Sequence, residues 1–216
     1  MNLKVVIVGA GIIGASLARV LSRFENLEVH LLEREPDVGW GISKATTSII
    51  HPGHEETREK HPLRAELCVE GNYLWHRWVK ELDIPARWPG ELMIALNEEN
   101  LKTAEYYWEA ARKNGVPGVR LVYNDELPKL EPNANPNVAG ALWAPTAGII
   151  NPMKAVIALV ENAVENGVKL HTENCVSDIK IEDGKVKGVE TNRGFIEADL
   201  LINAAGLYSD KISQMA

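Results

Sequence analysis

The sequence has few cysteines and no excess of basic residues. Its two cysteines, Cys68 and Cys175, lie far apart and form no C-x-x-C pair, which argues against a metal cage and a disulfide framework. The 216 residues carry 23 Lys and Arg against 30 Asp and Glu, a formal charge of −7, and no basic stretch is interleaved with aromatic residues. We therefore expect no nucleic-acid partner, no bound metal and a reducing compartment, with the cytoplasm as the default location.

The chain also lacks a long hydrophobic run. The first apolar segment, residues 5–10, is far too short to span a bilayer, and Lys4 alone is a poor charged region for a secretion signal. With 45% hydrophobic and 25% charged residues, the composition is that of a globular protein able to bury a core, as one large domain or two small ones.

A strand, a helix and a second strand are predicted at the start of the chain. Residues 5–8 form a β-branched run typical of a parallel strand covered on both faces. Apolar residues then recur at helical spacing over residues 12–24, and residues 29–32 are again strand-like. This order predicts an α/β fold with a parallel sheet.

Three glycines and one acid in this unit indicate a nucleotide site. Gly9, Gly11 and Gly14 give G-x-G-x-x-G between strand and helix, where they allow a tight turn, close approach to a pyrophosphate and helix–strand packing. The helix N-terminus adds free N–H groups and a positive dipole end. Glu33 ends the second strand, where it can accept hydrogen bonds from ribose hydroxyls. An acid here argues against a 2′-phosphate and leaves NAD or FAD open.

Later segments alternate between helix and strand. A helix over residues 63–82 is predicted to bury Leu67, Leu74, Trp78 and Leu82. Further helices are predicted over 98–113 and from Pro152 to Gly167, strands over 92–96, 168–170, 176–181, 186–189 and 200–202, a hairpin turn at 182–185, and Phe195 and Ile196 just before the last strand.

Two further stretches have the composition of ligand-binding segments. Residues 36–62 are rich in Gly, Ser, Thr and His and have no clear period, and a connection of that length in a compact domain usually binds something. Residues 199–210, DLLINAAGLYSD, predict a strand that runs into small residues, which let a backbone approach a ligand or, equally well, pack closely in a sheet.

Three stretches in this order resemble one family: VVIVGAGIIGASLARVLS…VHLLERE, GWGISKATTSIIHPGH and ADLLINAAGLYSD. Together they are similar to the FAD-dependent D-amino-acid-oxidase superfamily, and within it to glycerol-3-phosphate dehydrogenases of the anaerobic type, with L-2-hydroxyglutarate oxidases next. The resemblance implies FAD as the cofactor. It also implies a Rossmann-like FAD-binding domain of the glutathione-reductase-2 type with an inserted α+β substrate domain.

The resemblance assigns cofactor contacts residue by residue. It places the three glycines at the pyrophosphate, Glu33 at the adenosine ribose, and the 41–51 loop on the flavin side. It implies that Cys175 packs as a small apolar residue beside the adenine. The implied cofactor-binding residues are Gly9, Gly11, Ile12, Ile13, Gly14, Glu33, Arg34, Ser43, Lys44, Thr46, Thr47, Cys175, Val176, Ala204, Ala205 and Gly206.

His51 is the one catalytic residue that the resemblance implies. It matches the histidine that lies against the isoalloxazine ring in this superfamily and is covalently joined to it in some relatives. A histidine titrates near neutrality, so it can also take the proton from a substrate hydroxyl while hydride leaves for flavin N5. The alternative is a neutral imidazole that only caps a loop.

The resemblance also implies three segments and a truncation. Residues 1–83 and 148–216 match the FAD-binding domain, residues 84–147 match the first portion of the substrate domain, and the family continues beyond the point where this chain stops. A truncated chain or a second subunit would each explain that difference.

The implied activity is oxidation of sn-glycerol 3-phosphate to dihydroxyacetone phosphate. Oxidation of a 2-hydroxy acid such as L-2-hydroxyglutarate, oxidation of a secondary amine such as sarcosine, and a non-catalytic nucleotide-binding module remain alternatives. A quinone or another electron acceptor is expected as a partner of the enzyme. With a quinone, peripheral association at the inner face of the membrane is a second possible location.

Overall fold

The structure is a computed structural model that describes residues 2–123 and 125–216. Met1 and Asn124, which fall within the predicted segments 1–83 and 84–147, lie outside the described residues. Among the described residues, none of the helices combines the length and the hydropathy that a membrane span requires.

Six α-helices, thirteen strands and two short 3-10 helices (Ile42–Ala45 and Gly206–Tyr208) make up the regular structure of the described residues. The helices are α1 (Ile12–Leu21), α2 (Pro62–Glu81), α3 (Glu98–Asn114), α4 (Leu127–Leu130), α5 (Pro152–Glu165) and α6 (Ser209–Gln214). The strands are β1 (Leu3–Val8), β2 (Leu27–Leu32), β3 (Ile49–Ile50), β4 (Ala86–Arg87), β5 (Glu91–Ala95), β6 (Arg120–Val122), β7 (Gly140–Ala144), β8 (Gly148–Ile150), β9 (Lys169–His171), β10 (Val176–Glu182), β11 (Lys185–Thr191), β12 (Gly194–Glu197) and β13 (Leu200–Asn203).

The chain divides into two compact units. The first unit combines Met1–Thr47 with Asn151–Ala216, and the second is the continuous segment Ser48–Ile150. The second unit therefore begins at Ser48 and not at residue 84, the start predicted for the inserted segment. The reason lies in α2, whose Asn72 side chain donates a hydrogen bond to the carbonyl of Thr146 and so ties this helix to the second unit.

A four-stranded parallel sheet forms the centre of the first unit. Its strand order is β13-β1-β2-β9, and every pairing is parallel. Val5, Val6 and Ile7 of β1 are completely buried, as the uninterrupted β-branched run predicts for a central strand covered on both faces. The predicted α/β fold with a parallel sheet is confirmed.

Helices and a second sheet cover this parallel sheet. α1 and α5 pack against each other, and the Arg19 guanidinium donates to the Asn162 amide oxygen at 3.1 Å between them. A different cluster joins Val6, Val8 and Leu32 of the parallel sheet to residues of the antiparallel sheet β10-β11-β12, including Val189. The first unit thus has the layered architecture of a nucleotide-binding fold.

The second unit contains two antiparallel sheets of three strands. One has the order β3-β8-β4, and the other has the order β5-β7-β6. α3 packs against the second of these sheets, where Ala104 meets Leu142 and Ala144 in a buried cluster. The predicted α+β character of the inserted segment agrees with this arrangement.

The buried face of α2 differs from the predicted one. Leu67, expected in the core, is 54% exposed, and the buried positions of the helix are Ala65, Asn72, Trp78 and Val79. Ala65, Asn72 and Val79 are seven residues apart, so a stripe with a small residue and an amide faces inward and part of the predicted apolar stripe faces outward. The apolar pattern predicted the wrong buried face because the amide of Asn72, a polar group, lies on the buried side of the helix.

Candidate functional site

The turn after β1 needs a glycine at its first position. Gly9 has φ +105° and donates its N–H to the carbonyl of Leu32 at 2.8 Å. A Cβ on Gly9 would lie 2.5 Å from the carbonyl oxygen of Ala204. The small residues after β13 therefore come close to the glycine turn itself, which is one physical reason for Ala204 and Ala205 at this point.

The N-terminus of α1 supplies backbone donors beside this turn. The first intrahelical bond runs from Ala15 N to Gly11 O at 2.9 Å, so the N–H groups of residues 12–14 are left to partners outside the helix. Ser43 Oγ accepts from Ile12 N at 2.9 Å, and a Cβ on Gly11 would lie 3.1 Å from that oxygen. The Ser43 hydroxyl is thus anchored by the helix terminus and keeps its own proton available to donate.

The third glycine of the motif lets the helix approach the turn. A Cβ on Gly14 would lie 1.9 Å from the carbonyl oxygen of Gly9. This distance leaves no room for a side chain, so the packing role predicted for Gly14 agrees with the structure. Gly14 allows α1 to pack closely against the Gly9 turn and does not itself line the site.

The Glu33 carboxylate is fixed by two backbone donors. It is 9% exposed, its Oε2 accepts from Ala10 N at 2.9 Å, and its Oε1 accepts from Glu35 N at 3.0 Å. Each carboxylate oxygen can accept more than one hydrogen bond, so both oxygens retain capacity for hydroxyl donors. Glu33 therefore presents an oriented carboxyl group at the end of β2, and its contact with a ribose stays a prediction.

A cleft of 660 Å³ in the first unit joins these elements. Most of the predicted cofactor-binding residues line it: Gly9, Gly11, Ile12, Ile13, Glu33, Arg34, Ser43, Thr46, Cys175, Val176, Ala204, Ala205 and Gly206. The remaining predicted contacts, Gly14, Lys44 and Thr47, are not among the lining residues. The structure thus brings together segments that are far apart in the sequence.

Lys44 is one of the predicted cofactor contacts that are not among the residues lining the cleft. Its ammonium lies 5.1 Å from the centre of the Trp40 ring, a cation–π distance, and Trp40 is 44% exposed. Cys175 does line the cleft, but its side chain is exposed and the neighbouring Val176 is buried. The packing of Cys175 beside the adenine stays a prediction.

Several lining residues were not identified from the sequence. They include Asn174, which follows β9, and a group in and around α6: Leu207, Tyr208, Lys211, Ile212 and Met215. The Arg34 guanidinium lies 4.0 Å from the centre of the Tyr208 ring, so the two side chains form one wall. The only signal for Tyr208 in the sequence was its place in the DLLINAAGLYSD stretch.

His51 belongs to the second unit, directly after β3. Asn72, buried on α2, donates from Nδ2 to the carbonyl of His51 at 3.1 Å. The Sγ of Cys68 lies 4.0 Å from the same carbonyl oxygen, and burial raises the pKa of that thiol. The backbone of His51 is therefore anchored, while its side chain remains 40% exposed.

Two carboxyl groups lie beside the His51 imidazole. Glu55 Oε2 is 3.5 Å from His51 Nδ1, and one ligand atom from each of His51, Glu55 and Glu91 lies within 4.8 Å of the others. Glu91 begins β5, and burial raises the pKa of its carboxyl, with His51 acting in the opposite direction. Neither Glu55 nor Glu91 stood out in the sequence, because they lie in different segments that only the fold brings together.

This group has the side-chain types of a cation site. His and carboxylate ligands are found in metal centres, and the three ligand atoms are close enough to share one ion. The sequence predicted no metal, and exposed acidic groups often stand together without one. The group can equally handle protons, because an imidazole beside carboxyls is the usual arrangement of a general base.

The first unit has the donors and acceptors of a dinucleotide site. Backbone N–H groups and a hydroxyl at a helix N-terminus suit a diphosphate, and the oriented Glu33 suits the hydroxyls of a ribose. The open cradle over Gly11, which a side chain would narrow, has the form that a close diphosphate requires. The residues therefore fit an adenine dinucleotide.

Comparison with known proteins identifies related chains along the whole length. The profile of the DAO family, described as FAD dependent oxidoreductase, matches residues 4–216. A glycerol 3-phosphate dehydrogenase of Caloramator mitchellensis is 39% identical over 98% of this chain and 43% of its own length. An L-2-hydroxyglutarate dehydrogenase of Indibacter alkaliphilus is 31% identical over all of this chain and 53% of its own length.

A solved structure has the same fold. The L-α-glycerophosphate oxidase of Mycoplasma pneumoniae, reduced with dithionite and with FAD bound, superposes with a TM-score of 0.88 at 29% identity, over all of this chain and 57% of that one. The chain thus spans about half the length of the relatives it matches.

Proposed function

The chain belongs to the DAO family of FAD-dependent oxidoreductases, and on that basis we propose that it oxidises the secondary hydroxyl of sn-glycerol 3-phosphate to give dihydroxyacetone phosphate. The cleft built on Gly9, Gly11 and Glu33 carries the cofactor part of this proposal. The 39% identity to the Caloramator dehydrogenase supports the choice of substrate.

In this proposal the first unit holds FAD. The N–H groups at the start of α1 and the Ser43 hydroxyl bind the diphosphate, and Glu33 accepts hydrogen bonds from the adenosine ribose. Arg34 and Tyr208 form the wall on the adenosine side. Thr46 and the segment 204–206 contact the remainder of the cofactor. Lys44 and Thr47 contact the cofactor only if their side chains turn toward the cleft.

His51 is the proposed base. Bound FAD supplies a two-electron acceptor for the hydride that leaves the substrate carbon. The hydroxyl proton of the same substrate goes to the His51 imidazole, so the C–H and O–H bonds break and a carbonyl forms. The exposed fraction of the imidazole, 40%, lets the proton pass on to water.

A 2-hydroxy acid is the second candidate substrate. L-2-hydroxyglutarate is also a secondary alcohol, so His51 would perform the same proton transfer, and the 31% identity to the Indibacter dehydrogenase favours this class. A secondary amine such as sarcosine and a non-catalytic nucleotide-binding module are the remaining alternatives. A quinone or another acceptor, a second subunit and peripheral attachment to the inner membrane face also stay as proposals.

Anaerobic reduction of the purified protein tests the proposal. The full reading frame is loaded with FAD and mixed in turn with sn-glycerol 3-phosphate, L-2-hydroxyglutarate and sarcosine. We expect bleaching of the flavin absorbance by glycerol 3-phosphate at a rate at least about tenfold above the other two, a difference of about 1.4 kcal/mol in the barrier. Reoxidation by a quinone analogue and by dioxygen then compares the electron acceptors.

Each other result of this experiment has a definite meaning. Faster bleaching by L-2-hydroxyglutarate or sarcosine would identify that compound as the substrate in place of sn-glycerol 3-phosphate. A protein that binds FAD and is reduced by none of the three would support a non-catalytic module. A protein that takes up NAD and leaves FAD in solution would contradict the cofactor assignment.

A further inference from the structure

We propose that Glu55 and Glu91 are positioning residues for His51, which hold its Nδ1 side so that Nε2 is the nitrogen that takes the substrate proton. This inference rests on the proposed function, in which His51 is the base. It adds two residues to the reaction that neither the sequence pattern nor the comparisons assign. Both belong to the same compact unit as His51.

The first support is the surroundings of Nδ1. This atom is shielded from solvent and has no direct hydrogen-bond partner among the described residues, yet Glu55 Oε2 lies 3.5 Å away. Glu91 Oε2 is likewise shielded and without a hydrogen-bond partner in the described part of the chain. Since carboxylate oxygens only accept, a proton on Nδ1 is favoured, and the Nε2 lone pair is then free.

The second support is the way the three residues are anchored. The His51 carbonyl accepts from Asn72 Nδ2, and the same nitrogen donates to the Thr146 carbonyl, so the start of the imidazole side chain is fixed. Glu91 is held in β5 by its pairing with Ala144 of β7. Glu55 lies in the loop after His51, and its half-exposed side chain can follow small movements of the ring.

The third support is the balance of charge around the imidazole. Glu55 and Glu91 approach each other, and the pKa of the Glu91 carboxyl is raised by burial and, to a smaller extent, by the Glu55 charge. When His51 takes a proton, its positive charge lies beside both carboxyls and relieves that repulsion. The arrangement therefore stabilises the imidazolium that the reaction creates.

The other titratable groups near this cluster do not supply a competing cation. His54 follows in the same loop, is completely buried, and has a pKa lowered by burial, which disfavours its charged form. Cys68 of α2 is a neutral thiol whose pKa is raised by burial. Arg64, also on α2, is paired with Glu56, so its charge is compensated.

Charge-removing variants test this inference in the FAD-loaded full reading frame. Glu55→Gln and Glu91→Gln keep the shape of each side chain, and Glu105→Gln on the exposed face of α3 is the matched control. We expect each cluster variant to reduce the limiting rate of flavin reduction about 10-fold to 100-fold, as loss of an orienting partner usually does. The substrate concentration for half-maximal rate should change by less than about threefold, because neither carboxyl binds substrate.

The tautomer of the His51 imidazole distinguishes positioning from a structural role, and the Glu105→Gln control should leave it unchanged. Nitrogen NMR of the His51 imidazole gives a readout independent of turnover. We expect the Nδ1–H tautomer in the unmodified protein and a mixed population in Glu55→Gln.

The outcomes separate this inference from the proposed function. If the unmodified protein is not reduced by any substrate, the function fails, and the imidazole NMR still tests the carboxyl contacts. If it is reduced and the Gln variants keep its rate and its imidazole tautomer, the inference is overturned and the function stands. Loss of activity on dialysis against EDTA, restored by Zn²⁺ or Mn²⁺, would also overturn it, because the three side chains would then bind a metal.

Discussion

Asn72 joins two separate backbone segments of the second unit through one nitrogen atom. Its Nδ2 donates to the carbonyl of His51 at 3.1 Å and to the carbonyl of Thr146 at 2.8 Å. The side chain is 6% exposed, so these bonds are made away from bulk water. A single buried amide thus fixes the backbone of His51 relative to the turn before β8.

Replacing Asn72 by Ala should reduce both stability and catalysis. The change removes the amide donor from both carbonyls, while His76 Nε2 still lies 3.3 Å from the Thr146 oxygen, and we expect a loss of about 2 kcal/mol in the free energy of unfolding. Urea unfolding followed by tryptophan fluorescence measures it. Asn100→Ala, at an exposed position in the first turn of α3, serves as the control. A loss below about 0.5 kcal/mol for Asn72→Ala would show that water replaces the amide.

Replacing Gly9 by Ala should abolish cofactor binding. The residue would have to adopt φ +105°, and its Cβ would lie 2.5 Å from Ala204 O, so the turn or the segment after β13 must move. We expect a loss of more than about 2 kcal/mol in stability and no uptake of FAD from solution. Gly71→Ala, where a Cβ meets no atom within 4 Å, should leave FAD uptake unchanged. Normal FAD content in Gly9→Ala would refute the close-approach argument.

Replacing Ser43 by Ala separates its two suggested roles. Loss of the acceptor for Ile12 N should cost about 1 kcal/mol of stability in the protein without cofactor, as loss of a helix cap does. If the hydroxyl also donates to the diphosphate, the dissociation constant for FAD should rise about tenfold. Thermal unfolding and fluorescence titration with FAD measure the two effects, with the exposed Ser177→Ala as control. Reduced stability with unchanged FAD affinity would leave Ser43 as a cap only.

His54 should make stability depend on pH. Burial lowers its pKa below the ordinary value of 6.5, and neither ring nitrogen has a hydrogen-bond partner among the described residues. The unfolded chain therefore binds a proton before the folded chain does, and stability should fall as the pH drops below about 6.5. His171, whose pKa is also lowered by burial, adds to the same trend.

The variant His54→Leu removes one of these two contributions. Its free energy of unfolding should decline less than that of the unmodified protein between pH 7 and pH 5, because no buried imidazole must be charged. Urea unfolding at several pH values gives the comparison. If the free energy of unfolding changes equally with pH in the two proteins, the pH dependence comes from His171 and the carboxyl groups.

Local patterns were sufficient to predict the start of the first unit. The β-branched run at residues 5–8 and the three glycines predicted β1, the turn and α1, because these features depend on short-range sterics and on burial of one central strand. The hairpin at Asp183 and Gly184 was predicted for the same reason, and both residues have positive φ there. Phe195 and Ile196, however, belong to β12, a strand too short for its alternation to be read.

Long-range placement was not predictable in the same way. β3 and β4 have two residues each, so no periodicity marks them, and they exist because β8 lies between them. The desolvation of Glu91 depends on the packing of β5 within the second unit, and no pattern in the neighbouring sequence predicts it. The inward position of Asn72 was hidden by the apolar pattern of its helix.

The pairing of β13 with β1 has a consequence for synthesis on the ribosome. β1 gains one of its two neighbours only after Leu200–Asn203 have been translated, and its sheet also waits for β9. The segment Ser48–Ile150 is continuous and lies between these strands, so it can assemble on the nascent chain first. The cleft therefore cannot be complete before residues 200–206 have been translated, after the whole of the segment Ser48–Ile150.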